Sequence, residues 1–149
     1  MLLNLAYLGF KPPGDVRTHV IRRLQRLAGQ WQSPLVAAIA LLVGSSVPLP
    51  ASHNPDFGLC GPDKTLHATG HLALTAALIS TIEGRNGGST VHAILAATFI
   101  SSAYGVGTEL LQERIPGRNF ESGDLLAGVF GSICGVLWWY QVSRHATEA

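Results

Sequence analysis

Charge is scarce in this chain. Asp, Glu, Lys and Arg together make up 13% of its 149 residues, where an average soluble domain carries about a quarter. Cysteine is scarcer still, with only Cys60 and Cys134. Cys60 lies in a loop and Cys134 lies about 15 Å of helical rise inside an apolar segment, so one bridge cannot join them. Cys134 reads as a small packing residue. Glycine-rich phosphate loops, nucleophile elbows and nucleic-acid motifs are all missing. These absences remove the common soluble enzymes and a DNA- or RNA-binding role. What the chain has instead is apolar residues, 47% of the total, and they fall in runs.

Four runs stand out: Ser33 to Leu49, Leu66 to Ile82, Val91 to Thr108 and Leu125 to Val142. Each approaches the ~20 residues that a membrane-spanning helix needs. The first opens with Ser33 as a cap and Pro34 at the first helical position, a favoured helix start. The linkers between the runs are short and rich in turn residues, which leaves almost no polar helical face for water. The fold class read from this pattern is all-α: a polytopic membrane protein, a four-transmembrane-helix bundle. Before it, Val16, Val20, Leu24, Leu27 and Trp31 recur at helical spacing opposite Arg17, Arg22, Arg23 and Arg26. That is an N-terminal amphipathic helix suited to the anionic inner leaflet, with membrane lipids as partners. The first ten residues are too short to span and lack the features of a secretory signal.

Orientation follows from the ten basic residues. Lys11, Arg17, Arg22, Arg23, Arg26, Arg85 and Arg144 fall on one side, whereas Lys64, Arg114 and Arg118 fall on the other. The positive-inside rule then places both termini in the cytoplasm. Trp138 to Tyr140 lie at the inner headgroups. The organisation is a cytoplasmic segment 1–32, a transmembrane domain 33–143 and a short cytoplasmic tail 144–149.

With that topology the polar chemistry collects at the outer face. Asp63, Lys64 and His67 begin the second span, Tyr104, Glu109 and Gln112 end the third, Arg118 sits in the next turn, and Asp124 begins the fourth. Glu109 and Gln112 share a helical stripe with Ser101 and Gly105, and Asp124 heads a stripe of Gly128, Gly131 and Gly135. Stripes of small residues let helices approach closely, so these carboxylates are expected to point into the bundle. An acid turned into hydrocarbon costs ~2.5 to 3.5 kcal/mol and needs a partner or a wet cavity.

These residues carry a family resemblance. "DKTLH", followed by "YGVGTELLQERIPGRNFESGDLLAGVFGSICG", resembles the VanZ-like membrane family, whose pattern runs Asp-Lys-x-x-His, Tyr-Gly, Glu-x-x-Gln, Pro-x-Arg and an Asp before a Gly-rich last helix. The match covers roughly the last two-thirds of the chain. It carries Asp63, Lys64, His67, Tyr104, Gly105, Glu109, Gln112, Pro116, Arg118 and Asp124. His71 stands where the family usually has an aromatic residue, and Ala127 where an Asn commonly follows the Asp. The resemblance implies a four-helix bacterial membrane protein; the namesake is linked to low-level resistance to the glycopeptide teicoplanin, and no reaction comes with the name.

His67 and His71 at i and i+4 have the spacing of zinc helices, with Glu109 and Asp124 available to complete a set. The stretch is not H-E-x-x-H, since Ala68 replaces the glutamate, and His71 departs from the family pattern. No metal and no cofactor are therefore expected. His67 is expected to bond a carboxylate of the cluster, and His71 to pack deeper against a neighbour and to matter least when substituted.

Two functions fit. In one, Asp63, Lys64, His67, Tyr104, Glu109, Gln112, Arg118 and Asp124 line a pocket for an anionic envelope ligand, such as a lipid headgroup or lipid-linked cell-wall precursor. Lys64 and a bidentate Arg118 would clamp the anion, and any catalysis would fall to Glu109 or Asp124 as base and His67 as shuttle. In the other, the same cluster is a structural lock in a non-catalytic membrane scaffold. Convergence of four or more ionisable groups at one depth favours the pocket. Oligomeric state is left open.

Overall fold

The computed structural model describes residues 16–47, 61–86, 89–116 and 118–148. The first fifteen residues, the loop carrying Cys60, and the side chains of Arg17, Arg22, Arg23 and Arg26 lie outside that description. Four helices account for nearly all of it: α1 Val16–Ser46, α2 Pro62–Asn86, α3 Thr90–Gln112 and α4 Ser122–Glu148. The chain divides into two compact units between Trp31 and Gln32.

The expected helix start at Ser33 is not seen. Pro34 lies inside α1, so the helix that starts at Val16 does not stop to let a second begin at Ser33. Proline lacks one N–H, a loss a helix survives when its neighbours keep helical geometry. α2 starts with Pro62 at its first position and carries Asp63 in its first turn, where proline's fixed φ and a negative charge both suit a helix N-terminus.

Within the second unit many polar side chains are buried beside an apolar core of Leu41, Leu74, Leu78 and Ile79, and many large apolar side chains are exposed. Buried side chains include His67, His71, Thr75, Ser101, Glu109 and Gln112, whereas Leu95, Phe99, Leu126, Phe130, Ile133 and Leu137 are exposed. A soluble bundle has the opposite arrangement. Two helices, Thr90–Gln112 and Ser122–Ala146, are long and apolar enough to cross a membrane. Only 28% of each apolar window is buried, which separates them from the core helices of a soluble protein. Among the described residues α1 and α2 do not reach the same apolarity. α2 carries His67, His71 and several Thr and Ser, and α1 carries four arginines before Gln32.

Small residues set the helix spacing. α2 packs most extensively on α4, then on α3. A Cβ on Gly131 would overlap the Ala68 carbonyl, and one on Gly135 would fall 2.6 Å from the Leu72 carbonyl oxygen, so α4 lies backbone to backbone on α2. The buried face of α3 runs through Ala93, Ala97, Ser101, Gly105, Thr108, Glu109 and Gln112; this includes the stripe expected from the sequence. The second half of α1 is seated by Leu41 over Gly70 and by Leu66 of α2 over Gly44.

Candidate functional site

The first turns of α2 and α4 and the last turns of α3 meet at one end of this unit. His67, Glu109, Gln112 and Asp124 are all essentially inaccessible there. His67 Nε2 lies 3.4 Å from Glu109 Oε1 and 3.8 Å from Asp124 Oδ2, with the Gln112 amide nitrogen 3.4 Å from the same ring nitrogen. One donor atom from each of His67, Glu109 and Asp124 fits within 4.8 Å of the other two. Glu109 Oε1 and Asp124 Oδ1 are buried without a hydrogen-bond partner.

A layer of ion pairs covers this group. Lys64 Nζ bonds Glu121 Oε2 at 3.0 Å and lies 3.7 Å from Asp124 Oδ1. Gly123 gives the lysine stem its path, since a Cβ there would meet Lys64 Cε at 2.8 Å. The hydrogen bond to Glu121 holds the Lys64 amine above its ordinary pKa, with desolvation opposing. The Glu121 backbone N–H also donates to Glu109 Oε2 at 3.3 Å.

Arg118 is placed by the turn after α3. The Ile115 N–H bonds the Gln112 carbonyl at 2.8 Å and the Arg118 N–H bonds the Ile115 carbonyl at 3.1 Å, so the chain winds tightly back over the bundle. Its guanidinium donates from Nε and Nη2 to the Val47 carbonyl, at 3.2 and 3.1 Å, and from Nη1 to Asp63 Oδ2. The fork expected to clamp an anion instead holds the end of α1 and the start of α2 together.

One turn below His67, the His71 ring stacks on it at 6.3 Å between centroids and 17° between planes. His71 Nδ1 shares a hydrogen with Ser101 Oγ at 2.9 Å, and Ser101 Oγ with Ser132 Oγ at 3.1 Å. Gly105 and Gly128 flank the ring, where a Cβ would fall 3.0 and 2.9 Å from it. His71 therefore ties α2 to α3 and α4 and lies outside the His67–Glu109–Asp124 group.

Seven of the eight predicted residues, Asp63, Lys64, His67, Glu109, Gln112, Arg118 and Asp124, meet in this network. Tyr104 differs: its hydroxyl donates to the Ala38 carbonyl at 2.6 Å, so it tethers α1 to α3. Glu121 and Ser132 were not expected. Glu121 stands three residues before Asp124, a helical spacing that brings a side chain over the same face. Comparison of the chain with protein-family models, curated proteins and solved structures finds no match.

Proposed function

We propose that this chain is an integral membrane protein of the bacterial cell envelope, of VanZ-like type. In this reading four helices cross the cytoplasmic membrane, both termini are cytoplasmic, and the polar end faces outward to bind an anionic group of a lipid or lipid-linked cell-wall precursor. Exposed Leu35, Val36, Ile39 and Val43 on α1 support a lipid-facing first span. The motif residues named above are what support the family reading.

The observation that carries the ligand reading is the Lys64–Glu121 pair. Lys64 is held by a carboxylate whose side chain is 54% exposed, and an exposed ion pair is worth no more than about 1 kcal/mol. An anionic headgroup at the membrane surface can therefore replace Glu121 at Lys64 at little cost. The scaffold reading retains half of the cluster: Arg118, with its donors on Val47 and Asp63, acts as the lock. A pure lock, however, would not leave Glu109 Oε1 and Asp124 Oδ1 buried with no hydrogen bond, because an unmade bond at a buried acceptor costs about 1 to 3 kcal/mol.

The test is lipid preference in nanodiscs or by native mass spectrometry. Wild type should retain phosphatidylglycerol over phosphatidylcholine, K64Q should lose that preference, and E121Q should strengthen it. Equal retention of both lipids by folded wild type and K64Q would remove the proposal in favour of the scaffold.

A further inference from the structure

We infer that His67, Glu109 and Asp124 form a binding site for one divalent transition-metal ion of the zinc class. The inference deepens, and rests on, the reading of this cluster as a ligand site. It departs from the expectation of no metal, and it does not use the His67–His71 pair that prompted the question.

Three observations support it. The first is spacing. With metal–ligand bonds of about 2.1 Å, the edge of a tetrahedron is about 3.4 Å, and His67 Nε2 stands 3.4 Å from Glu109 Oε1 and 3.8 Å from Asp124 Oδ2. The second is unmet bonding capacity. Glu109 Oε1, the carboxylate oxygen nearest His67 Nε2, is buried without a hydrogen-bond partner on a wholly inaccessible side chain. The third is charge. Four carboxylates, Asp63, Glu109, Glu121 and Asp124, stand with two cations, Lys64 and Arg118, so with every carboxylate ionised the group is two positive charges short. A divalent cation removes that deficit.

The donor set selects among metals. One imidazole nitrogen with two carboxylate oxygens and no thiolate suits zinc, iron or manganese better than calcium or magnesium, which favour all-oxygen shells. His71 fixes the plane of the His67 ring by stacking, and Glu121 orients Glu109 through its backbone N–H. Such outer supports are what metal ligands require. Lys64 lies 3.7 Å from Asp124 Oδ1, close enough for an anionic ligand held at the site to meet the lysine as well.

The experiment uses the full chain in detergent, stripped with a chelator, then titrated with Zn2+ by calorimetry and with Co2+ by visible absorption. One ion per chain should bind, and the Co2+ form should show the ligand-field bands of a four- or five-coordinate site. Mg2+ at the same concentration should not compete. E109Q and D124N should each weaken Zn2+ by roughly tenfold or more, while E83Q, on a carboxylate bonded to Thr90 elsewhere on the chain, should leave it unchanged. Absence of Co2+ bands in wild type, or equal Zn2+ affinity in wild type and folded E109Q, would overturn the site. If the variants do not fold, the wild-type stoichiometry and Co2+ spectrum decide alone. Zn2+ uptake without preference for phosphatidylglycerol would leave the metal and remove the headgroup reading; lipid preference without Zn2+ uptake would do the reverse.

Discussion

Gly131 of α4 rests directly on the Ala68 carbonyl of α2, with no room between them for a Cβ. The obstruction is backbone, which cannot rotate aside as a side chain can. G131A should therefore exceed the usual overpacking cost of ~1 to 3 kcal/mol and lower the thermal midpoint in detergent. Gly107 has nothing within 4 Å of its Cβ position, so G107A should be neutral or should stabilise by up to about 1 kcal/mol through helix propensity. Thermal scans of the two variants side by side test the close approach of α2 and α4.

His71 should be among the most sensitive positions for stability, contrary to the sequence expectation. H71A empties the space between Gly105 and Gly128 and leaves Ser101 with Ser132 alone. H71F keeps the volume but loses the hydrogen bond, about 1 kcal/mol. The expected order of thermal midpoints is wild type, H71F, H71A; an H71A midpoint equal to that of wild type would contradict the packing role.

Arg118→Lys should be a costly exchange. A lysine supplies no planar fork for the Val47 carbonyl and Asp63 together. R118A should destabilise by about 1.5 to 3 kcal/mol, since it strips charge-assisted hydrogen bonds from the Val47 carbonyl and from a partly exposed Asp63, and R118K by less. Neither should abolish the lipid preference that depends on Lys64 in whatever fraction remains folded, and the lipid-retention assay reads that directly.

Alkaline pH should weaken the fold through Lys64. Its pKa is raised in the folded protein, chiefly by the Glu121 hydrogen bond. Its contribution is therefore complete below the unfolded lysine value of about 10.4 and is lost as pH rises through the higher folded value. E121Q should lower stability at pH 7 by up to about 1 kcal/mol and flatten the alkaline limb, because the contribution it removes is the one otherwise lost as pH rises through the folded lysine value. Chemical denaturation between pH 8 and 12 measures both.

The turn after α3 should be extracellular. R114C, in a background with Cys60 and Cys134 replaced by Ser, should react with a membrane-impermeant maleimide added to intact cells. Protection of position 114 in cells, with labelling after lysis, would invert the orientation. Arg114 is exposed in the structure, so accessibility within the fold does not limit the reaction.

Much of the site was legible because helices repeat. Ser101, Gly105, Glu109 and Gln112 fall on one stripe by spacing alone, and all four are buried on α3. Asp124, Gly128, Gly131 and Gly135 follow the same logic on α4, where all are buried. What spacing does not carry is partnership across the fold. Arg118 bonds the Val47 carbonyl across 71 positions and Tyr104 bonds the Ala38 carbonyl across 66; a backbone carbonyl has no residue-type signature to read. Pro34 misled because the features that start a helix are also tolerated inside one. The histidines show the same limit, although His67 was expected to bond a carboxylate. Spacing along one helix joins His67 to His71, whereas the bundle joins His67 to acids on two other helices.

Glu121 faces two ways. Its carboxylate stands in water holding Lys64, while its amide N–H reaches inward to Glu109. The outer and buried halves of the cluster thus meet at one residue, whose side chain serves the surface and whose backbone serves the interior. A substitution at position 121 can therefore remove the contact with Lys64 while leaving in place the amide that Glu109 accepts from.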